Sequence, residues 1–309
     1  MIAIVLSGGG NRGAIEAGAL QALFEHGIRP DILVGSSAGA MNAAFIATDP
    51  TPAGANRLAD LWLNVQRQDI FRGNALTMAL RLLLGRDSIF SRAALRRLVE
   101  SHLPSGVSTF GDLPDKVKLY ITTASLNTGL LYLYGEKPEA SLLEAVLASS
   151  AHPVIFEPLE ASGQQLVDGG VVSNVPIEIA IDKGAQEIYV INVGYGGEPR
   201  PKVTDIPGII SRTISAMMHQ HLLDDLEAAE QAPGVTPHHI HIPAFQNTLM
   251  WDLSHSAEMI AEGYRVTTEY LENPQPARET LQQISIAAQA VPPPEGASVY
   301  LPRRRRMPR

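Results

Sequence analysis

The chain has 309 residues, 45% hydrophobic and 18% charged, enough to bury a large core and too apolar for a disordered or collagen-like protein. It contains no cysteine, which excludes disulfides, thiolate nucleophiles and Cys-ligated zinc, so a covalent nucleophile would have to be oxygen or nitrogen. The net charge is −8, yet five arginines crowd the last seven residues, so residues 1–302 carry −13; an acidic body argues against nucleic acid as a partner.

The start, MIAIVLSGGG, lacks the basic stretch of a secretory signal, and its apolar run breaks at Ser7. No run reaches the ~18 apolar residues of a bilayer span, so the expectation is a cytoplasmic protein. Residues 2–6 predict a buried strand, 12–26 a helix closed by Gly27, 32–34 a second strand and 38–46 a second helix. Such a βαβ start implies a mainly parallel central sheet between two helical layers, a three-layer α/β/α fold. Residues 56–101 predict a helical insert in three pieces, near 58–67, 76–84 and 93–102, the last capped by Ser91. Strands are expected at 117–123, 129–134 and 165–167, and helices at 141–150 and 175–183, with Pro176 tolerated in a first turn. The run at 188–193 suits a central strand; a helix over 207–231, a strand at 238–242 and a helix at 254–272 complete the pattern. One domain over 1–290 is expected, followed by a flexible Pro/Arg-rich tail at 291–309. That tail could touch anionic head groups, although a solvated terminus is the simpler reading.

Three loops carry the chemistry. Gly35-Ser36-Ser37-Ala38-Gly39 is a G-x-S-x-G between a strand and a helix. A nucleophile elbow needs that cramped turn, with Gly35 and Gly39 removing side chains that would collide and the helix starting at Ala38 offering free N–H groups. Ser7-Gly8-Gly9-Gly10-Asn11-Arg12-Gly13 also joins strand to helix and matches G-x-G-x-x-G. Dinucleotide binding would want an acid after the second strand, whereas Asp31 precedes it. A glycine loop can equally present N–H groups to an oxyanion, with Arg12 orienting the loop or an anionic substrate. Asp168-Gly169-Gly170 ends another short strand and supplies a carboxylate. The histidines following Ser37 are scattered, and the HHIH run at 238–241 reads as a strand with alternating faces; no metal site is expected.

Together SGGGNRGAIEAG, GSSAG at 35–39, ASSAHPVIFEP at 148–158 and DGG at 168–170 resemble the patatin-like phospholipases, with GYRVTTEYL at 263–271 similar to a terminal helix of bacterial members. The resemblance implies a patatin-like fold and a serine acyl hydrolase with a Ser37–Asp168 dyad. It also implies an oxyanion hole from the backbone of the Gly8, Gly9, Gly10 and Gly13 loop, no cofactor, and an acyl ester or lipid substrate, with peripheral membrane contact left open. Gly169-Gly170 stands where many members have Gly-Ala. On this reading 75–84 (ALTMALRLLL) could line an acyl tunnel or cap an interface, but packing into the core is expected first. Residues 245–253 could add an apolar wall. The alternatives are a nucleotide-binding oxidoreductase using the Gly8–Gly13 loop and a non-catalytic lipid-binding module; the oligomeric state is left open.

Overall fold

Alternation within the first strand sets the architecture. The computed structural model describes residues 1–196 and 200–277. In β1 (Ile2–Leu6), Ile4 and Leu6 enter one core and Ala3 and Val5 another, the pattern of a strand covered on both faces. The chain continues through α1 (Gly13–Glu25), β2 (Ile32–Gly35) and α2 (Ala38–Thr48). The helical insert then runs through α3 (Pro52–Asn64), α4 (Arg67–Ile70), α5 (Ala75–Leu83) and α6 (Ala93–His102). After it come β3 (Lys118–Ser125), β4 (Leu131–Tyr134), α7 (Leu142–Ser149), β5 (Leu159–Ala161) and β6 (Gln164–Asp168). The remainder is α8 (Ile177–Asp182), β7 (Glu187–Asn192), α9 (Ile206–Gln231), β8 (Thr236–His241) and α10 (Ser256–Glu272).

The strands form one mixed sheet in which β3, β2, β1, β7 and β8 run parallel, while β4, β5 and β6 are antiparallel additions at one end. The larger core, on one face, takes residues from α1, α2, α3 and α10; the second, on the other face, takes α8 and α9. The expected three-layer arrangement is therefore present.

Strand β3 makes the site. Ile121 pairs with Gly35 of β2 and with Tyr134 of β4; Ala124 pairs with Leu131 of β4 and with Val167 of β6. Since β4 occupies one side, β2 and β6 must share the other, end to end. β6 runs antiparallel, so its last residue, Asp168, opposite Thr123, is aimed at the exit of β2, where Ser37 begins the next helix.

Most predicted elements lie within a few residues of those observed. The insert begins earlier than expected, because Thr51 caps α3 by accepting the Gly54 N–H at 3.2 Å and Pro52 takes the first turn. Arg92, not Ser91, is the capping position of α6, although Ser91 Oγ accepts the Ala93 N–H at 3.3 Å. The expectation that 75–84 packs into the core is corrected: among the described side chains, Leu76 and Leu83 are 76% and 84% exposed, while Met78 packs against the core. The predicted tail lies outside the described residues. No helix among the described residues is long and apolar enough to cross a membrane.

Candidate active site

Ser37 sits in the turn from β2 to α2 at φ 55°, ψ −123°, a left-handed backbone that a serine adopts only when its surroundings impose it. They do so at three points. A Cβ on Gly35 would meet the Ala40 backbone at 2.7 Å, and one on Gly39 would meet the Ser7 carbonyl at 2.6 Å, so both flanks must be glycine. The Ser37 N–H donates to Ser149 Oγ at 2.9 Å, which ties the turn to the end of α7.

Asp168 is buried and its Oδ1 accepts the Gly170 N–H at 2.8 Å. The Ser37 hydroxyl is near enough to this carboxylate to favour its charged form. Such pairs often tighten only when substrate arrives. Burial pushes the Asp168 carboxyl above its ordinary value; the charge of His152, the Ser37 hydroxyl and the Gly170 N–H pull it back. His152 also borders the pocket beside Ser37, and its Nδ1 lies 2.9 Å from the Pro153 carbonyl.

The glycine loop closes over the serine. Gly8 is held both ways by Asn174: its N–H donates to the Asn174 carbonyl at 3.1 Å, and its carbonyl accepts from Asn174 Nδ2 at 3.2 Å. The Gly13 N–H is turned back to the carbonyls of Gly10 and Asn11, and a Cβ there would meet the Trp62 ring and Ala38. Gly9 and Gly10, by contrast, donate to no protein group among the described residues. Gly10 needs its glycine, with φ 62°. Arg12 Nε donates to the Gly9 carbonyl at 3.2 Å and its Nη1 bonds Gln246 Oε1, which links the loop to residue 246. Asp31 is at the opposite sheet edge, accepting the Ile2 N–H at 2.8 Å, where no ribose on the glycine loop could reach it.

Two small pockets, each of about 60 Å³, flank this centre. One reaches Ser37 and is walled by Trp62, Ile70, Phe71, Phe156 and Met250. The other begins at Gly8 and has a mixed lining, with Arg12, Asn174, Asn192 and Arg200 beside Val175, Met218 and Leu222. Met250 and Leu253 thus give 245–253 a place in the first wall, while Trp251 packs edge-on against Phe90 with ring centroids 6.1 Å apart. In β8, His238 stacks on Tyr189 and His239, buried on the other face, meets the Asn192 amide at 3.2 Å. Burial pushes His239 down to about 3; neither histidine borders the serine's pocket.

Three residues without a motif of their own therefore complete the site: Ser149, His152 and Asn174. The first two lie in the ASSAHPVIFEP block, which marked the segment but not their roles.

The patatin-like phospholipase family model matches residues 4–181, over half of the chain. The chain belongs to the patatin-like phospholipase family. This patatin-like chain is 29% identical over 217 residues to the uncharacterized protein YqhO of Bacillus subtilis, covering 64% of its own length and 73% of YqhO. It is 24% identical over 210 residues to lysophospholipase NTE1 of Mycosarcoma maydis, covering 65% of itself and 10% of that protein. With human patatin-like phospholipase domain-containing protein 6 it shares 27% over 198 residues, covering 64% and 14%. The chain thus spans a small fraction of these two longer relatives. Among solved structures, VipD from Legionella pneumophila superposes with a TM-score of 0.44 at 17% identity, covering 87% of this chain and 66% of that one. Human GIVD cytosolic phospholipase A2 gives 0.43 at 16%, covering 94% and 60%.

Proposed function

We propose that this patatin-like protein is a serine acyl hydrolase that cleaves acyl esters of lipids through an acyl-Ser37 intermediate. The observation that carries the reading is the meeting of three unusual features at one sheet edge: a strained serine, a buried carboxylate of raised pKa and a glycine loop in which the Gly9 and Gly10 amides have no partner among the described residues. In the scheme, Ser37 Oγ attacks the ester carbonyl carbon while Asp168 takes its proton. The carbonyl oxygen, now negative, is held by the N–H groups of Gly9 and Gly10. Collapse expels the alcohol, which receives the proton from Asp168. Water then attacks the acyl-serine by the same path and releases the fatty acid. No cofactor or metal is called for.

The pocket characters suggest the orientation, with the acyl chain against Phe71, Phe156 and Met250 and the alcohol or head group toward Arg12 and Asn174. Family membership and the naming of one relative as a lysophospholipase support a lipid ester, met by peripheral contact with a membrane.

Two measurements test this. Ser37→Ala should lower turnover of a p-nitrophenyl ester by at least about 10⁴-fold, and Asp168→Asn by about 10²–10⁴-fold; near-full turnover in either variant refutes the dyad. Mass spectrometry of lipids released from a membrane extract by wild type, against Ser37→Ala, then identifies the substrate class.

A further inference from the structure

Helix α5 is turned the wrong way for a surface helix. Leu76, Leu80, Leu83 and Leu84 recur at the spacing of one helical face and are 76%, 52%, 84% and 65% exposed. The opposite face points inward and carries the charge: Arg81 donates to the Ser88 carbonyl, to Ser88 Oγ and to Glu157 Oε1, each at 2.9 Å. Water therefore meets the leucines, and the protein meets the arginine. A water-soluble helix ordinarily does the reverse, and contiguous exposed apolar surface marks an interaction site.

The electrostatics favour one kind of partner. Residues 64–102 hold seven arginines against three acids in a chain whose net charge is −8; Arg81 and Arg92 turn inward to Glu157 and Pro158, while Arg67, Arg72, Arg86 and Arg97 are exposed. An apolar stripe on a basic segment is the combination that seats a helix in an anionic lipid surface, leucines among the acyl chains and arginines at the phosphates. Two copies meeting through this face by a two-fold axis would instead bring like charges together. Position agrees. Ile70 and Phe71, a few residues before α5, wall the pocket beside Ser37. At about 60 Å³, that pocket is far below the ~300–1,000 Å³ of sites that bury whole ligands. A long acyl chain can enter only if this wall shifts.

We propose that the leucine face of α5 docks the protein onto an anionic bilayer and so brings the insert wall of the Ser37 pocket to the lipid. The proposal rests on the acyl-lipid reading for its purpose, but its test does not depend on turnover. Ser37→Ala protein, full chain, is sedimented with vesicles of phosphatidylcholine alone and of phosphatidylcholine with 30% phosphatidylglycerol as probes. The same is done after adding Leu76→Glu and Leu83→Glu, and separately after Arg303–Arg306→Ser. Binding should be at least tenfold tighter to the anionic vesicles, and the leucine pair should weaken it at least tenfold. The same leucine changes in the otherwise wild-type chain should leave p-nitrophenyl butyrate turnover within twofold, showing an intact fold and site. If the leucine variants bind as the parent does, the proposal fails. If only the arginine changes abolish binding, the contact belongs to the C-terminal tail and the proposal also fails. It fails equally if the parent is a dimer that the leucine changes dissociate, without effect on vesicles.

Discussion

Ser37 and Asp168 are each held by groups distant in sequence, and their behaviour should depend on those groups more than on the serine or carboxylate alone. Asp168 is pushed up by burial and drawn down by the charge of His152, so in the proposed scheme activity rises with pH as this carboxyl loses its proton. Removing the positive charge removes one force that lowers the value. His152→Ala should therefore move the acid limb of the kcat/KM profile to higher pH while leaving measurable turnover at the plateau. An acid limb that stays in place would show that His152 is electrostatically idle. Ser149 offers a comparable test, because its Oγ is the acceptor for the Ser37 N–H. With alanine there, a buried donor on an already strained residue loses its partner, a change of about 1–3 kcal/mol. Ser149→Ala should lower both the unfolding free energy and kcat, whereas Ser149→Thr, which keeps the oxygen, should retain more of each.

Helix α10 crosses α1 at a point where neither helix has a side chain. A Cβ on Gly18 would overlap the Ile260 carbonyl, and one on Gly263 would overlap that of Ile15. The two glycines let backbones touch, and α1 is buried along almost its whole length as a result. Gly263→Ala should destabilise the protein by about 1–3 kcal/mol, the usual range for overpacking, despite the better helix propensity of alanine; urea unfolding that shows a gain would refute the close crossing. The α1 and α10 segments were legible from apolar periodicity, and GYRVTTEYL pointed to the second as a terminal helix, but nothing local says that Gly263 meets Gly18's helix. The same division holds across the site. Glycine-flanked turns and their order made Ser37, the loop and Asp168 readable, since cramped backbone leaves a compositional trace. Ser149, His152 and Asn174 act through contacts between segments far apart in the chain, and single serines, histidines and asparagines leave none. That β6 would enter antiparallel beside the end of β2 is likewise a property of the sheet, not of QQLVD. The leucines of α5 show the converse failure: an apolar run tells how greasy a helix is and not whether anything covers it.

Taken as one titrating body, the protein buries several carboxyls that hold their protons more tightly than a free carboxyl does. Burial raises Glu16 well above its ordinary value, opposed by Asn42 and Ser7, and raises Asp168 against the forces named above. Asp225 on α9 is pushed up to about 7, first by burial and then by the charges of Glu178 and Asp224, with the Ser173 hydroxyl at 3.4 Å pulling the other way. Each of these groups binds its proton more tightly in the folded chain than in the unfolded one. The stabilisation is therefore complete below the unfolded value, near 3.8 for Asp225, and is lost as pH rises through the folded value near 7. Above that point the folded protein must carry a half-buried charge facing two other acids. Asp225→Asn takes the charge away while keeping the shape of the side chain. It should stabilise the protein little at pH 4 and by on the order of 2 kcal/mol at pH 8.5, after allowance for the solvent that Asp225 still meets. Urea unfolding of the two proteins at both pH values measures the difference directly. A gain equal at pH 4 and 8.5 would mean that packing, not proton binding, sets the effect, and that Asp225 does not titrate between them.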